Sequence, residues 1–255
     1  MSLQLDNPAS VIVIMDNVIV ADRYGDAVSL YRARDLQATG SNHYSHLTYT
    51  PVSLTYFQPS VFVCYRSVLA QYSLKSEDGI EISRMDRKQT ISITQICCTT
   101  SNYEHLYMGT LKPSLIRMHV DPLSVEQEYK FYPILYTNNR NRYPWLHDMK
   151  AGENCVFCLF TGSPSPPQLF SLEGELMSSI LTEDQIVGAY HFNLFGNPIT
   201  DELRIYICDF WDNSIKVFDL GGKFIETICE TGHALCQIFR AHLHIYRTIW
   251  LYYSW

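Results

Sequence analysis

The sequence has no uninterrupted apolar run of the eighteen or more residues that a membrane-crossing helix needs. The nearest candidate, residues 11–21, is broken by Asp16 and Asn17, so no membrane partner is expected. Concentrated positive charge is also missing. Lys and Arg number 19 against 26 Asp and Glu, a formal charge of −7, whereas phosphate binding draws on clustered cations. The densest basic groups, Arg84-Met85-Asp86-Arg87-Lys88 and Arg140-Asn141-Arg142, are short and read as solvated loops. RNA is therefore disfavoured as a partner, although a linear scan does not see a patch assembled from separate elements. The opening residues Met-Ser-Leu-Gln-Leu-Asp-Asn-Pro lack the basic start and hydrophobic core of a secretory signal, so a cytoplasmic location is expected.

Two chemical signatures are absent as well. No Gly-x-Ser-x-Gly nucleophile motif occurs. Of the eight cysteines, Cys155 and Cys158 have C-x-x-C spacing, but no second such pair completes a zinc site. These two lie in an alternating apolar stretch, and residues three apart on a strand face opposite sides of the sheet. Core packing by reduced thiols is the expected role, zinc the alternative, and neither a metal nor another cofactor is assigned.

What is present is a core-forming composition, 47% apolar and 18% charged, suited to one globular domain. It also contains a repeat. Residues 17–31 (Asn-Val-Ile-Val-Ala-Asp-Arg-Tyr-Gly-Asp-Ala-Val-Ser-Leu-Tyr) match residues 204–218 (Arg-Ile-Tyr-Ile-Cys-Asp-Phe-Trp-Asp-Asn-Ser-Ile-Lys-Val-Phe) without a gap. Each copy is an apolar run, an Asp, a turn, and a strand that closes on an aromatic. The closing residue recurs as Tyr31, Tyr72, Met118, Phe170 and Phe218, spaced 41, 46, 52 and 48 residues apart. The fourth copy aligns with the fifth without a gap, 156–160 falling on 204–208 and 168–172 on 216–220. The second copy is two residues shorter in its turn, and the third (Leu106-Tyr107-Met108, then Leu115 to Met118) is the most degraded.

Within the units apolar residues alternate over four to seven positions between Gly, Asp, Asn, Ser and Pro clusters, which is strand spacing. The fifth unit divides into strands at 186–192, 203–208, 214–218 and 224–229. A period of about 40–50 residues holding four short antiparallel strands is a propeller blade. A β-sandwich of unrelated strands would not keep one aromatic and one turn in step. The fold expected is an all-β propeller of four-stranded blades, as a single domain over 1–255. Its five recognisable blades fall near 10–45, 48–84, 91–131, 143–181 and 185–229, with an incomplete or aberrant blade over 232–255.

Residues 205–225 carry a short strand ending in Asp209, a polar turn with Asn213, a strand ending Val217-Phe218, a Gly221-Gly222 turn and a further apolar strand. This resembles an NHL repeat, and residues 18–31 fit nearly as well. The resemblance implies an NHL-type propeller, commonly of six blades, which in tripartite-motif ubiquitin ligases often forms the target-binding end for protein or RNA. No zinc module or coiled-coil heptads precede the repeats, so ligase activity would have to come from elsewhere. The tail resembles a run into another blade until Arg240, after which turn residues cease. A reading shifted by one nucleotide permits a Pro, an Ile strand and a Gly turn there. A frameshift or wrong splice junction in a longer coding sequence and a genuine terminal strand are the two readings.

The strand-end Asp22 and Asp209 are expected to accept hydrogen bonds from turn N–H groups, a structural role. Arg23 and Tyr24, Arg66, and Phe210 and Trp211 follow at the strand ends of units one, two and five. In an NHL-type propeller these loops lie on the face most used for partners, and exposed aromatic and Arg side chains are typical interface anchors; packing between blades is the alternative for them. The expected function is a non-catalytic interaction domain that binds protein through this face, with a recognition role in a ubiquitin-ligase-like protein as an extension. The alternative is a lyase or hydrolase with a channel metal drawn from His119, His147, His191, His233, His242 and His244. Of these, His147 and His191 fall near innermost strands, and no His, Asp and Glu set recurs at one blade position.

Overall fold

A computed structural model of the chain describes residues 8–22, 27–35, 37–43, 50–76, 82–93, 96–102, 104–112, 114–132, 145–161, 167–179, 189–196, 203–209 and 214–229. These residues form twenty strands in five four-stranded antiparallel sheets. In each sheet the strands follow one another in chain order, the meander of a propeller blade. Blade 1 comprises β1 (Pro8–Ile14), β2 (Asn17–Asp22), β3 (Ala27–Arg32) and β4 (Ala38–His43). Blade 2 comprises β5 (Pro51–Phe57), β6 (Ser60–Tyr65), β7 (Val68–Ser76) and β8 (Ile82–Ser92). Blade 3 holds β9 (Ile96–Ser101), β10 (Leu106–Thr110), β11 (Ser114–Val120) and β12 (Leu123–Lys130). Blade 4 holds β13 (Trp145–Ala151), β14 (Cys155–Thr161), β15 (Gln168–Ser171) and β16 (Leu176–Ser179). Blade 5 holds β17 (Ala189–Gly196), β18 (Leu203–Asp209), β19 (Ser214–Asp219) and β20 (Phe224–Cys229). The chain is thus all-β with propeller blades, and residues 230–255, including the questioned tail, lie outside the described residues.

Two compact units emerge, one of residues 1–110 and 116–128, the other of 111–115 and 129–255. In the first unit the leading strands β1, β5 and β9 pack in succession; in the second, β13 packs on β17. The second strand of a blade is covered on both faces. All six residues of β6 are buried, and their alternation sends Val61, Val63 and Tyr65 into a core shared with Ile19, Ala21 and Leu30 of blade 1. Phe62 and Cys64 enter a different core with Ile96, Leu106 and Met108 of blade 3. In the second unit, Phe157 and Leu159 meet Phe192, Ile205, Ile207 and Phe218.

The closing residue of the repeat has its explanation in these cores. Tyr72 packs toward blade 1, Met118 toward blade 2 and Phe218 toward blade 4. Each plugs its blade onto the one before, so a large apolar side chain is required at that register position. Phe170 does related work inside the second unit, its ring 4.5 Å from Phe131 and 5.9 Å from Phe160.

Register confirms one alignment and corrects another. Val18 pairs with Tyr31 and Asp22 with Ala27, as Ile205 pairs with Phe218 and Asp209 with Ser214. The repeat between blades 1 and 5 is therefore a true structural equivalence. Val156, however, pairs with Phe170, so its counterpart is Ile205 and not Arg204. The connection in blade 4 is one residue longer, and the gapless match of residues 156–160 to 204–208 is out by one. Such a slip is hard to see where every residue of the strand is apolar.

Two strand placements also differ from expectation. The basic group at 84–88 lies within β8, the outermost strand of blade 2, which runs on to Ser92. There Arg87 and Lys88 are exposed, and charge on an edge strand opposes pairing with other chains. In blade 5 the first strand is Ala189–Gly196 rather than 186–192.

Candidate functional site

Every leading strand carries an extra residue near its start. The pairing register steps between Pro8 and Ser10, Pro51 and Ser53, Leu146 and Asp148, and Ala189 and His191. In β9 the residue left out is Cys97, since Thr110 pairs with Ile96 and Gly109 with Cys98. A bulge of this kind bends the strand and re-aims the side chain that follows it. That following position carries Ser10, Ser53, Cys98, Asp148 and His191.

Three of these residues, Ser10, Ser53 and Asp148, tie blades together through their side chains. Leu54 donates its N–H to Ser10 Oγ at 3.0 Å, and Thr99 donates its N–H to Ser53 Oγ at 3.1 Å. In the second unit Phe192 donates its N–H to Asp148 Oδ2 at 3.2 Å. Leu54, Thr99 and Phe192 each stand one residue beyond the post-bulge position of their own strand. The bond therefore recurs with the same offset. Asp148 is fully employed: Oδ1 accepts the Met149 N–H at 2.8 Å and faces Lys150 Nζ at 3.5 Å. No residue spacing in the sequence announces this link, because a bulge is visible only once the partner strand is known.

The strand ends that precede the candidate interface residues are equivalent by register. Asp22 pairs with Pro8, Tyr65 with Pro51 and Asp209 with Ala189, each at the first residue of the leading strand. Asp209 is fully buried, and Lys216 Nζ donates to its Oδ2 at 2.9 Å. Lys216 sits in β19 and reaches to the end of the adjacent β18, so this carboxylate holds a neighbouring strand of its own blade. Asp22 is buried too.

Arg66 directly follows Tyr65 and is exposed. Its carbonyl accepts the Ile96 N–H at 3.0 Å, while the Ser67 carbonyl accepts the Ile93 N–H at 3.1 Å. The turn is thus clamped by the segment entering blade 3 while its guanidinium faces solvent. Arg23, Tyr24, Phe210 and Trp211 lie outside the described residues.

His147 and His191 do belong to leading strands, β13 and β17. His119 is exposed in β11, and His233, His242 and His244 lie outside the described residues. Among the described residues no three His, Cys, Asp or Glu side chains assemble into a metal-binding group. Cys155 and Cys158 both fall in β14, opposite Ser171 and Gln168. Neither is in a disulfide, and Cys155 packs at the edge of the core with Phe157 and Leu159, its thiol pKa raised by burial. Among the described residues no helix is long and apolar enough to cross a membrane.

In comparison with known proteins, no family model matches the chain, and no curated protein matches it.

Proposed function

We propose that the chain is a non-catalytic interaction domain of NHL type that binds a protein partner through the blade edge where the second strand ends. The observation that carries this reading is the exposed Arg66 on a turn clamped by two backbone hydrogen bonds. A pre-ordered loop loses little entropy on binding, and Arg is a frequent interface anchor. Register equivalence supports extending the edge within the first unit to Arg23 and Tyr24, which follow the matching strand-end residue; in the second unit, taken by itself, Phe210 and Trp211 follow the equivalent Asp209. A cytoplasmic setting and a recognition role within a ubiquitin-ligase-like protein extend this reading; the ligase module itself would be supplied from outside the repeats.

The test is proximity crosslinking from a photoreactive group at position 66 in the full chain. Partners are then compared with an Arg66→Glu variant whose circular dichroism matches the parent. A protein captured by the parent and lost in both Arg66→Glu and an Arg23→Ala/Tyr24→Ala variant supports the reading. Capture that is indifferent to these changes overturns it. RNA retained on a filter, with affinity falling steeply as salt rises, would replace the protein reading with a nucleic-acid one.

A further inference from the structure

Cys97 is the extra residue in the β9 bulge, and the bulge has a chemical consequence. Neighbouring side chains on a regular strand point to opposite faces, so adjacent cysteines do not normally meet. Here the bulge turns them together, and Cys97 Sγ stands 3.6 Å from Cys98 Sγ. Both are reduced thiols. Cys97 is half-buried, with a route to solvent, whereas Cys98 is buried against the sheet. We propose that Cys97 and Cys98 form a two-thiolate site for a soft monovalent cation, Cu(I).

Three features support that class of ligand. Thiolates select soft metals, and Cu(I) is among the softest available to a protein. Zinc requires four ligands, typically at about 2.3 Å from sulphur, whereas two thiols meet at this bulge and, among the described residues, no third His, Cys, Asp or Glu joins them in a metal-binding group. With bonds of that length a linear S–Cu–S unit spans about 4.6 Å, about 1 Å more than the present separation. Rotation of the half-buried Cys97 side chain supplies the opening. Its present anchor is modest, a contact of 3.2 Å to the Gly109 carbonyl.

The binding step balances without a redox partner. Each thiol loses its proton as its sulphur bonds to copper, so one Cu(I) and two thiols give a dithiolate complex of charge −1 and release two protons. Affinity therefore rises with pH.

The experiment uses the reduced full-length chain titrated with Cu(I) against a chromogenic chelator, with native mass spectrometry reporting stoichiometry. The parent is expected to take one equivalent, and bound copper is expected to protect Cys97 and Cys98 from alkylation. Cys97→Ser keeps a donor toward the Gly109 carbonyl, so the sheet is retained while the equivalent is lost. Cys155→Ser, altered at a thiol in β14, keeps it. Failure of the parent to bind Cu(I), binding undiminished in Cys97→Ser, or preference for Zn(II) over Cu(I) would each overturn the proposal.

Discussion

The main-chain N–H of Phe192 donates to the carboxylate of Asp148, 44 residues earlier, at 3.2 Å. The leading strand of blade 4 is thereby fastened to that of blade 5. Ser53 and Thr99 repeat the relation in the other unit and add a hydroxyl contact between their side chains at 3.0 Å. A neutral hydroxyl suffices in one unit, while a charged acceptor is used in the other. Bonds to ionised acceptors are stronger than neutral ones, so the two links are not worth the same.

Replacing Asp148 by Ala strands the buried Phe192 N–H and removes the Lys150 ion pair. The expected cost is about 2–3 kcal/mol. Asp148→Asn keeps an acceptor and loses less. Urea unfolding measures the difference, and faster hydrogen exchange at the Phe192 amide localises it. Ser53→Ala is expected to cost about 1 kcal/mol by the same logic. Equal costs for Asp148→Ala and Asp148→Asn would show that the hydrogen bond to Phe192 contributes little.

The Asp209–Lys216 pair couples a fully buried carboxylate to an ammonium that is 13% exposed. Removing either partner alone leaves a charge without its counterion, and Lys216→Met is expected to destabilise by about 3 kcal/mol. The double variant Asp209→Asn/Lys216→Met removes both charges and should recover part of that loss. A double-mutant cycle from thermal or urea unfolding checks it; strictly additive losses would mean that the two side chains are not coupled.

Gly174 and Gly222 both have φ of +84° and occupy the same turn in successive blades. Gly174 N–H donates to the Ser171 carbonyl and Gly222 N–H to that of Asp219, each at 3.0 Å. An added Cβ at Gly174 would also stand 3.2 Å from the Lys130 carbonyl oxygen. Gly222→Ala is expected to cost about 1 kcal/mol from backbone strain, and Gly174→Ala more because of that close contact. Matching losses at the two positions would assign the effect to backbone conformation alone.

Stability should fall in alkali through Cys64. Burial pushes its thiol well above the usual value, and nearby Cys98 adds to the effect. In the unfolded chain a thiol releases its proton near pH 8.5, while folded Cys64 holds its own. The folded state then binds more protons, so stability declines as pH rises above about 8.5 and is unaffected by this group below that. Tyr72, raised chiefly by burial and then by Tyr65, acts in the same direction at higher pH. Urea midpoints between pH 7 and 10 should drop less in Cys64→Ala than in the parent. Identical slopes would exclude the thiol as the cause.

Much of the blade was legible from residues alone because strand alternation and turn chemistry are local. The match between residues 17–31 and 204–218 carried over to pairing, Val18 with Tyr31 and Ile205 with Phe218. The slip at 156–160 arose where local signals fade: a strand buried on both faces has no polar alternation to pin its register. The basic group in β8 misled for a related reason, since an edge strand can be as charged as a loop. Of the candidate interface residues, only the position of Arg66 is described, and nothing in its local sequence reveals the clamp on its turn.

Sequence alone determined the repeating unit: its length, its four strands and the need for a large apolar residue at its close. These follow from short-range preferences and from the composition of a chain with a core. Tertiary structure decided which faces those residues cover, since Val61 and Phe62 are chemically alike yet enter different cores. It also decided the bulges, which exist only relative to a partner strand. From the bulges come the Asp148–Phe192 link and the meeting of Cys97 with Cys98, contacts that depend on an unpaired residue turning a strand and not on the residue types themselves.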